Sequence, residues 1–167
     1  MSNSTDNLKA AFAGESQANR KYLFFADKAE EEGLRQVARL FRAAADAETV
    51  HARAHLRVLG GVRSTRENLQ AAIDGEGYEF TKMYPEFIKQ AEAEGNLAAK
   101  RSFELANQVE KIHHELYSKV FAAVRDGKSL AEQAVYVCQV CGMTVEGEAP
   151  DKCPVCGSPK KQFKRID

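Results

Sequence analysis

The sequence predicts a mainly helical protein: a four-helix bundle followed by a small metal-held domain of strands and loops. Three observations predict it. Through residues 1–126, apolar residues recur at spacings of three and four, as in Leu8, Ala11, Phe12 and Val37, Leu40, Phe41, Ala44. All four cysteines fall within the last 30 residues, as two Cys-x-x-Cys pairs. The composition, 44% hydrophobic and 29% charged, is that of a soluble globular chain.

The elements follow in order. A first helix is expected from about 5 to 32, with Ser4 or Thr5 as its cap, and a second from about 34 to 59. Gly33 and Gly60-Gly61 mark the joints between helices. The third is expected from about 66 to 94, capped by Ser64 or Thr65, with an irregularity before Pro85. The fourth is expected from about 97 to 126, capped by Asn96. Residues 127–133 read as a linker, which divides the chain into a bundle domain over 1–133 and a tail domain over 134–167. The tail holds three of the four prolines and the β-prone run Val135-Tyr136-Val137.

The helical region repeats itself at a shift of 62. Tyr22 meets Tyr84, Phe25 meets Phe87, Phe41 meets Phe103, Glu48 meets Glu110 and His51 meets His113. Two similar hairpins are therefore expected, with a pseudo-two-fold relation between Glu48-Thr-Val-His51 and Glu110-Lys-Ile-His113. On a helix, residues i and i+3 lie about 60° apart, so both side chains of each motif reach one ion from one face. The other two helices offer Glu15 and the pair Glu76 and Glu79. The gap from Glu15 to Glu48 is 33 residues and from Glu76 to Glu110 is 34, which returns each pair to a similar height in an antiparallel hairpin. Carboxylate-bridged metal pairs in helical bundles use one Glu from each of two helices and Glu-x-x-His from the other two; here there is one carboxylate more. Five clustered carboxylates would repel one another and protonate, whereas two divalent ions bring a charge of −5 to −1, so the cluster makes electrostatic sense only with metal. Tyr22 and Tyr84 either pack in the core or line the metal cavity. His55 could pair with His51 on zinc but lacks a further ligand, and His114 points away from His113 toward the surface.

In the tail, Cys138-Gln-Val-Cys141-Gly and Cys153-Pro-Val-Cys156-Gly form two matched knuckles. Four thiolates suit zinc or iron, and in isolation zinc is favoured. So small a segment has too little core to fold alone, and the metal holds it together.

Taken together, Gly75-Glu76-Gly77-Tyr78-Glu79, Met83-Tyr84-Pro85-Glu86-Phe87, Glu110-Lys-Ile-His113 and the paired knuckles resemble the rubrerythrin family over essentially the whole chain. That resemblance implies a ferritin-like di-iron bundle with a rubredoxin-like Fe(Cys)4 domain, and makes iron the expected metal of Cys138, Cys141, Cys153 and Cys156. It implies Glu15, Glu48, Glu76, Glu110 and His113 as permanent ligands, and Glu79 and His51 as the pair that exchange on one iron between redox states. It also implies a peroxidase of oxidative-stress defence. That enzyme reduces hydrogen peroxide with electrons relayed through the tail from an external rubredoxin or NAD(P)H-dependent reductase. The family arrangement is a homodimer in which one chain's tail faces the partner's di-iron site. Ferroxidase or iron storage on the same bundle is the alternative, and a zinc-ribbon interaction module on a structural bundle is a third reading.

Composition narrows the remaining classes. A formal charge of zero, from 24 basic and 24 acidic residues, supplies no basic field for nucleic acid. No run is apolar enough for a membrane span, and Met1 to Asn7 lacks the regions of a signal peptide, so a cytoplasmic protein is expected.

Overall fold

The computed structural model describes residues 3–166. The helices are α1 (Ser4–Glu31), α2 (Arg35–Val58), α3 (Thr65–Tyr78), α4 (Tyr84–Ala93) and α5 (Leu97–Arg125), with a π-helical turn, Glu79–Met83, between α3 and α4. Three short strands follow, β1 (Val135–Cys138), β2 (Thr144–Glu146) and β3 (Phe163–Ile166), in the order β2-β1-β3. The chain falls into two compact units, Met1–Arg63 and Ser64–Asp167.

The first unit is the hairpin α1–α2. Its fully buried side chains are small (Ala26, Ala29, Ala38 and Ala45), so the two helices approach closely. Asn3, one residue before the expected caps, starts α1: its side chain accepts from the Asp6 amide at 3.0 Å, and Asp6 answers the Asn3 amide. Gly33, at φ 77°, makes the turn into α2. Tyr22, Phe25 and Phe41 form a ring cluster with centroids 5.6–6.3 Å apart.

The second unit pairs α3 and α4 with α5 and adds the strands. Ser64 and Glu67 repeat the capping box of Asn3 and Asp6. Asn96 caps α5 by accepting from the Ala99 amide at 3.0 Å. Tyr84, Phe87 and Phe103 repeat the aromatic trio of the first hairpin. The irregularity expected before Pro85 is the π turn. Pro85 has no amide to donate and its ring would crowd the Thr81 carbonyl in a continuous α-helix, so the widened turn lies immediately before it.

That turn explains why the two carboxylate gaps differ by one. After it the hairpins match at a shift of 62, as Tyr22 to Tyr84; before it they match at 61, as Asn3 to Ser64, Asp6 to Glu67, Leu8 to Leu69 and Glu15 to Glu76. A π turn is a one-residue insertion in an α-helix. Glu79 sits on the inserted turn and has no acidic counterpart in the first hairpin, where positions 17 and 18 are Gln and Ala.

The strands hold the two knuckles. Antiparallel pairing sets Tyr136 opposite Val145 on one side and Arg165 on the other. Each knuckle closes on a glycine in the left-handed region: the Gly142 amide (φ 86°) donates to the Cys138 carbonyl at 2.8 Å, and the Gly157 amide (φ 80°) to the Cys153 carbonyl at 2.9 Å. The tail then packs on α5. Val109 is buried among Cys138, Met143 and Cys153, with Ile112 against the same cluster, and Lys119 pairs with Glu146. This tail is seated on α5 of its own chain. Among the described residues no helix is long and apolar enough to cross a membrane.

Candidate metal centres

In the first hairpin, Glu15 on α1 meets Glu48 and His51 on α2, with one ligand atom from each within 4.8 Å of the others. Asn19, one turn beyond Glu15, sets the register: its amide donates to the Ala45 carbonyl at 2.7 Å and to Thr49 Oγ1 at 2.9 Å. His51 Nδ1 donates to Glu48 Oε2 at 2.8 Å, and the ring is otherwise open, 54% exposed. The hydrogen bond from His51, then that involving Glu15, hold the Glu48 carboxyl below its usual range.

The second hairpin builds the same trio from Glu76, Glu110 and His113, again within 4.8 Å. His113 is only 25% exposed and is held from both sides. Its Nδ1 lies 2.7 Å from Glu110 Oε2 and 3.8 Å from Glu76 Oε1; its Nε2 donates to Thr144 Oγ1 on β2 at 2.9 Å, and Thr144 donates onward to the Gly142 carbonyl at 3.2 Å. Burial, then the charge of Glu110, push the Glu76 carboxyl up to about 7. Burial and the same charge raise Glu79, which lies within electrostatic reach of Glu110 and His113 but outside the tight trio. The hydrogen bond to Glu110 raises His113 against the opposing effect of burial. Tyr84 is raised by burial and by Glu110, Glu79 and Glu76, so its phenol faces the carboxylates. Among the described residues neither Tyr22 nor Tyr84 hydrogen-bonds a ligand carboxylate; both belong to the aromatic trios. A cavity of about 320 Å³ opens beside Glu76, His113 and Thr144, walled by Leu116, Tyr117 and Val120. His114 is not at the surface as expected: it is half-buried, packed edge-on against Phe80 at 5.3 Å and over Gly77. His55 joins no cluster among the described residues.

The tail gathers Cys138, Cys141, Cys153 and Cys156. Cys138 and Cys156 lie 3.7 Å apart at sulfur, Cys141 and Cys153 3.6 Å, and no disulfide forms. Thiolates at about 2.3 Å from a tetrahedral ion stand roughly 3.8 Å from one another, so the cradle fits a metal. Ser158 Oγ donates to Cys156 Sγ at 2.6 Å. Burial pushes the Cys156 thiol up, but the hydrogen bonds from Ser158 outweigh it and bring the thiol down to about 6. The helical trios also fit their group: each offers two carboxylates and one imidazole, and a cation would favour the charged form of Glu76, which burial and Glu110 disfavour.

Sequence reasoning missed Thr144, Ser158 and Asn19. Thr144 carries no signal in a one-dimensional pattern, because its role depends on which face of β2 meets α5. Ser158, two residues beyond Cys156, was legible as a hydroxyl within reach of a knuckle.

Comparison with known proteins agrees with this geometry. The family model described as rubrerythrin matches residues 6–121, and that of the rubrerythrin rubredoxin-like domain matches 136–164. Rubrerythrin-2 of Clostridium acetobutylicum is 34% identical, covering 95% of this chain and 94% of its own. Nigerythrin of Nitratidesulfovibrio vulgaris is 37% identical, covering 95% and 84%. The solved structure of fully reduced, all-ferrous nigerythrin superposes with a TM-score of 0.60 at 34% identity, over 99% of this chain and 88% of that one. The chain therefore belongs to the rubrerythrin family, di-iron proteins of oxidative-stress defence, and carries the family's non-haem di-iron centre and, in its rubredoxin-like domain, one iron on four cysteines.

Proposed function

We propose that the protein is a peroxidase: it reduces hydrogen peroxide to two waters, taking up two electrons and two protons, with the electrons returned one at a time through the tail. In this reading residues 1–133 hold the di-iron centre and 134–167 form the relay. On that reading Glu15, Glu48 and His51, and likewise Glu76, Glu110 and His113, would be the residues that hold iron. Two adjacent ferrous ions supply one electron each, so both electrons needed to break the O–O bond come from one site.

The chain's own residues do the rest. Thr144 accepts from His113 Nε2–H, which keeps that nitrogen protonated, so the nitrogen that would give up its proton to a metal is Nδ1, now hydrogen-bonded to Glu110. Glu79 holds a proton when off the metal, since burial and Glu110 favour its neutral form, and delivers it toward the leaving oxygen. His51, held among the described residues by Glu48 and half in solvent, would be the imidazole free to reorient and hold iron in place of Glu79. Tyr22 and Tyr84 stiffen the walls, with the Tyr84 phenol toward the carboxylates.

One observation carries the reading: the four-cysteine cradle is seated on the helix that bears Glu110 and His113, and a single hydrogen bond joins Thr144 of the tail to the His113 ring. Iron storage has no use for that connection. An external reductase drawing on NAD(P)H is the expected donor. The test is Cys153→Ser in the full chain. It should abolish reductase-driven peroxide consumption while chemically reduced protein still consumes one peroxide per iron pair. If reductase-driven turnover survives, the relay is wrong; if chemically reduced wild-type protein ignores peroxide but takes up and oxidises excess ferrous ion, the protein is a ferroxidase.

A further inference from the structure

The two knuckles of the tail match residue for residue at a shift of 15. Cys138 meets Cys153, Cys141 meets Cys156 and Gly142 meets Gly157; the next pair is Met143 and Ser158. The backbone keeps that symmetry. Each glycine amide donates to the carbonyl of the first cysteine of its own pair, at 2.8 Å and 2.9 Å. Each following amide donates to the sulfur of the second cysteine: Met143 N–H to Cys141 Sγ, and Ser158 N–H to Cys156 Sγ.

The side chains break the symmetry. Met143 turns into the core, packed with Val109 and Cys153. Ser158 instead sets its hydroxyl between sulfurs of both knuckles: Oγ lies 2.6 Å from Cys156 Sγ and 3.6 Å from Cys138 Sγ. While the cysteines are thiols, either side of such a contact can donate. Metal binding takes the thiol protons, and a thiolate only accepts. The serine is then the donor. A hydroxyl has one hydrogen, and the shorter contact takes it. Cys156 Sγ therefore receives two hydrogen bonds from residue 158, one from the amide and one from the hydroxyl. At the matching place beside Cys141, methionine has no hydroxyl to offer.

We propose that Ser158 raises the reduction potential of the tail iron by donating its hydroxyl hydrogen to Cys156 Sγ. The inference rests on the family's iron on four cysteines and is independent of the peroxidase reading. Four thiolates, at −1 each, leave −1 around a ferric ion and −2 around a ferrous one. A donor aimed at sulfur is held more strongly by the more negative state, so it favours the iron that has taken up one electron. The size is that of one hydrogen bond, about tenfold in the reduction equilibrium. Ser158 thereby divides the driving force between the two electron steps of the tail. A higher potential strengthens the pull on an electron arriving from an outside donor and weakens the push onward. Ser158 is a positioning residue here, since it acts through Cys156.

A redox titration of the full-length, iron-loaded protein tests this, with dithionite as reductant and the visible absorption of the cysteine-bound iron as readout. Ser158→Ala should make that iron about tenfold harder to reduce, a fall of about 59 mV for a one-electron couple. Ser158→Thr and Ser158→Val have nearly the same shape, and only threonine keeps the hydroxyl. The threonine variant should titrate near the wild type and the valine variant near Ser158→Ala. This pair decides the question if Ser158→Ala fails to hold iron. Equal potentials for threonine and valine overturn the proposal, because packing alone would then set the potential. A wild-type tail that takes zinc and refuses iron overturns it too. Peroxide plays no part in the titration. A potential that moves as expected in a protein indifferent to peroxide upholds this inference and removes the peroxidase reading instead.

Discussion

The two Glu-x-x-His motifs share one spacing and one hydrogen bond, yet the chain treats them differently. Among the described residues His51 is held by Glu48 and half exposed, whereas His113 is gripped between Glu110 and Thr144 and is 25% exposed. The second hairpin also has the π turn and Glu79, for which the first has no equivalent. A repeat thus supplies two matched ligand trios, and two additions to one copy, an inserted residue and a docked tail, set them apart. On the proposed function, the more open trio is the one suited to ligand exchange and the trio docked against the tail is the one suited to receive electrons.

Removing either addition should make the second hairpin behave like the first. Glu79→Ala should lower peroxide turnover about 100-fold, the scale of a lost proton donor, while most of the iron remains bound. Single-turnover kinetics alongside metal analysis check this, and equal losses of iron and rate would make Glu79 an anchor. Thr144→Val should free His113 and slow electron transfer from tail to helices about tenfold, the worth of one hydrogen bond. Thr144→Ser should restore it, and the nitrogen-15 resonances of His113 should show a fixed Nε2–H tautomer only when a hydroxyl is present.

Acidity provides a smaller and more local contrast. Glu76 is raised from 4.5 to about 7, and His113 above its usual 6.5. A group that holds its proton more tightly when folded adds stability below its unfolded value, and that stability is lost as pH rises through its folded value. The metal-free protein should therefore lose melting temperature between about pH 4.5 and 7, with His113 extending the loss upward. Glu76→Gln should flatten the slope and Glu48→Gln should not. A slope unchanged by Glu76→Gln would place its origin elsewhere.

Much of this was legible from the residues, because helical spacing, repeats and Cys-x-x-Cys pairs are one-dimensional signals. The matched gaps of 33 and 34 even held the inserted residue, although only the π turn at Glu79–Met83 explains it. The caps were read to within a residue, Asn3 having been passed over because Ser4 and Thr5 are equally good cap formers. The packing of His114 was missed because a glycine opposite, Gly77, leaves room for its ring. The seat of the tail on α5 was missed because it depends on the shape of the Val109 and Ile112 surface, which no spacing encodes.

The most direct measurement is metal content per chain with a visible spectrum taken through one redox cycle. An iron pair in the helices and a single iron in the tail should give a red protein that bleaches on reduction and regains its full colour with three peroxides for every two chains, since each peroxide takes two electrons and each chain gives three. A colourless protein holding one zinc per chain, indifferent to peroxide, would contradict the account.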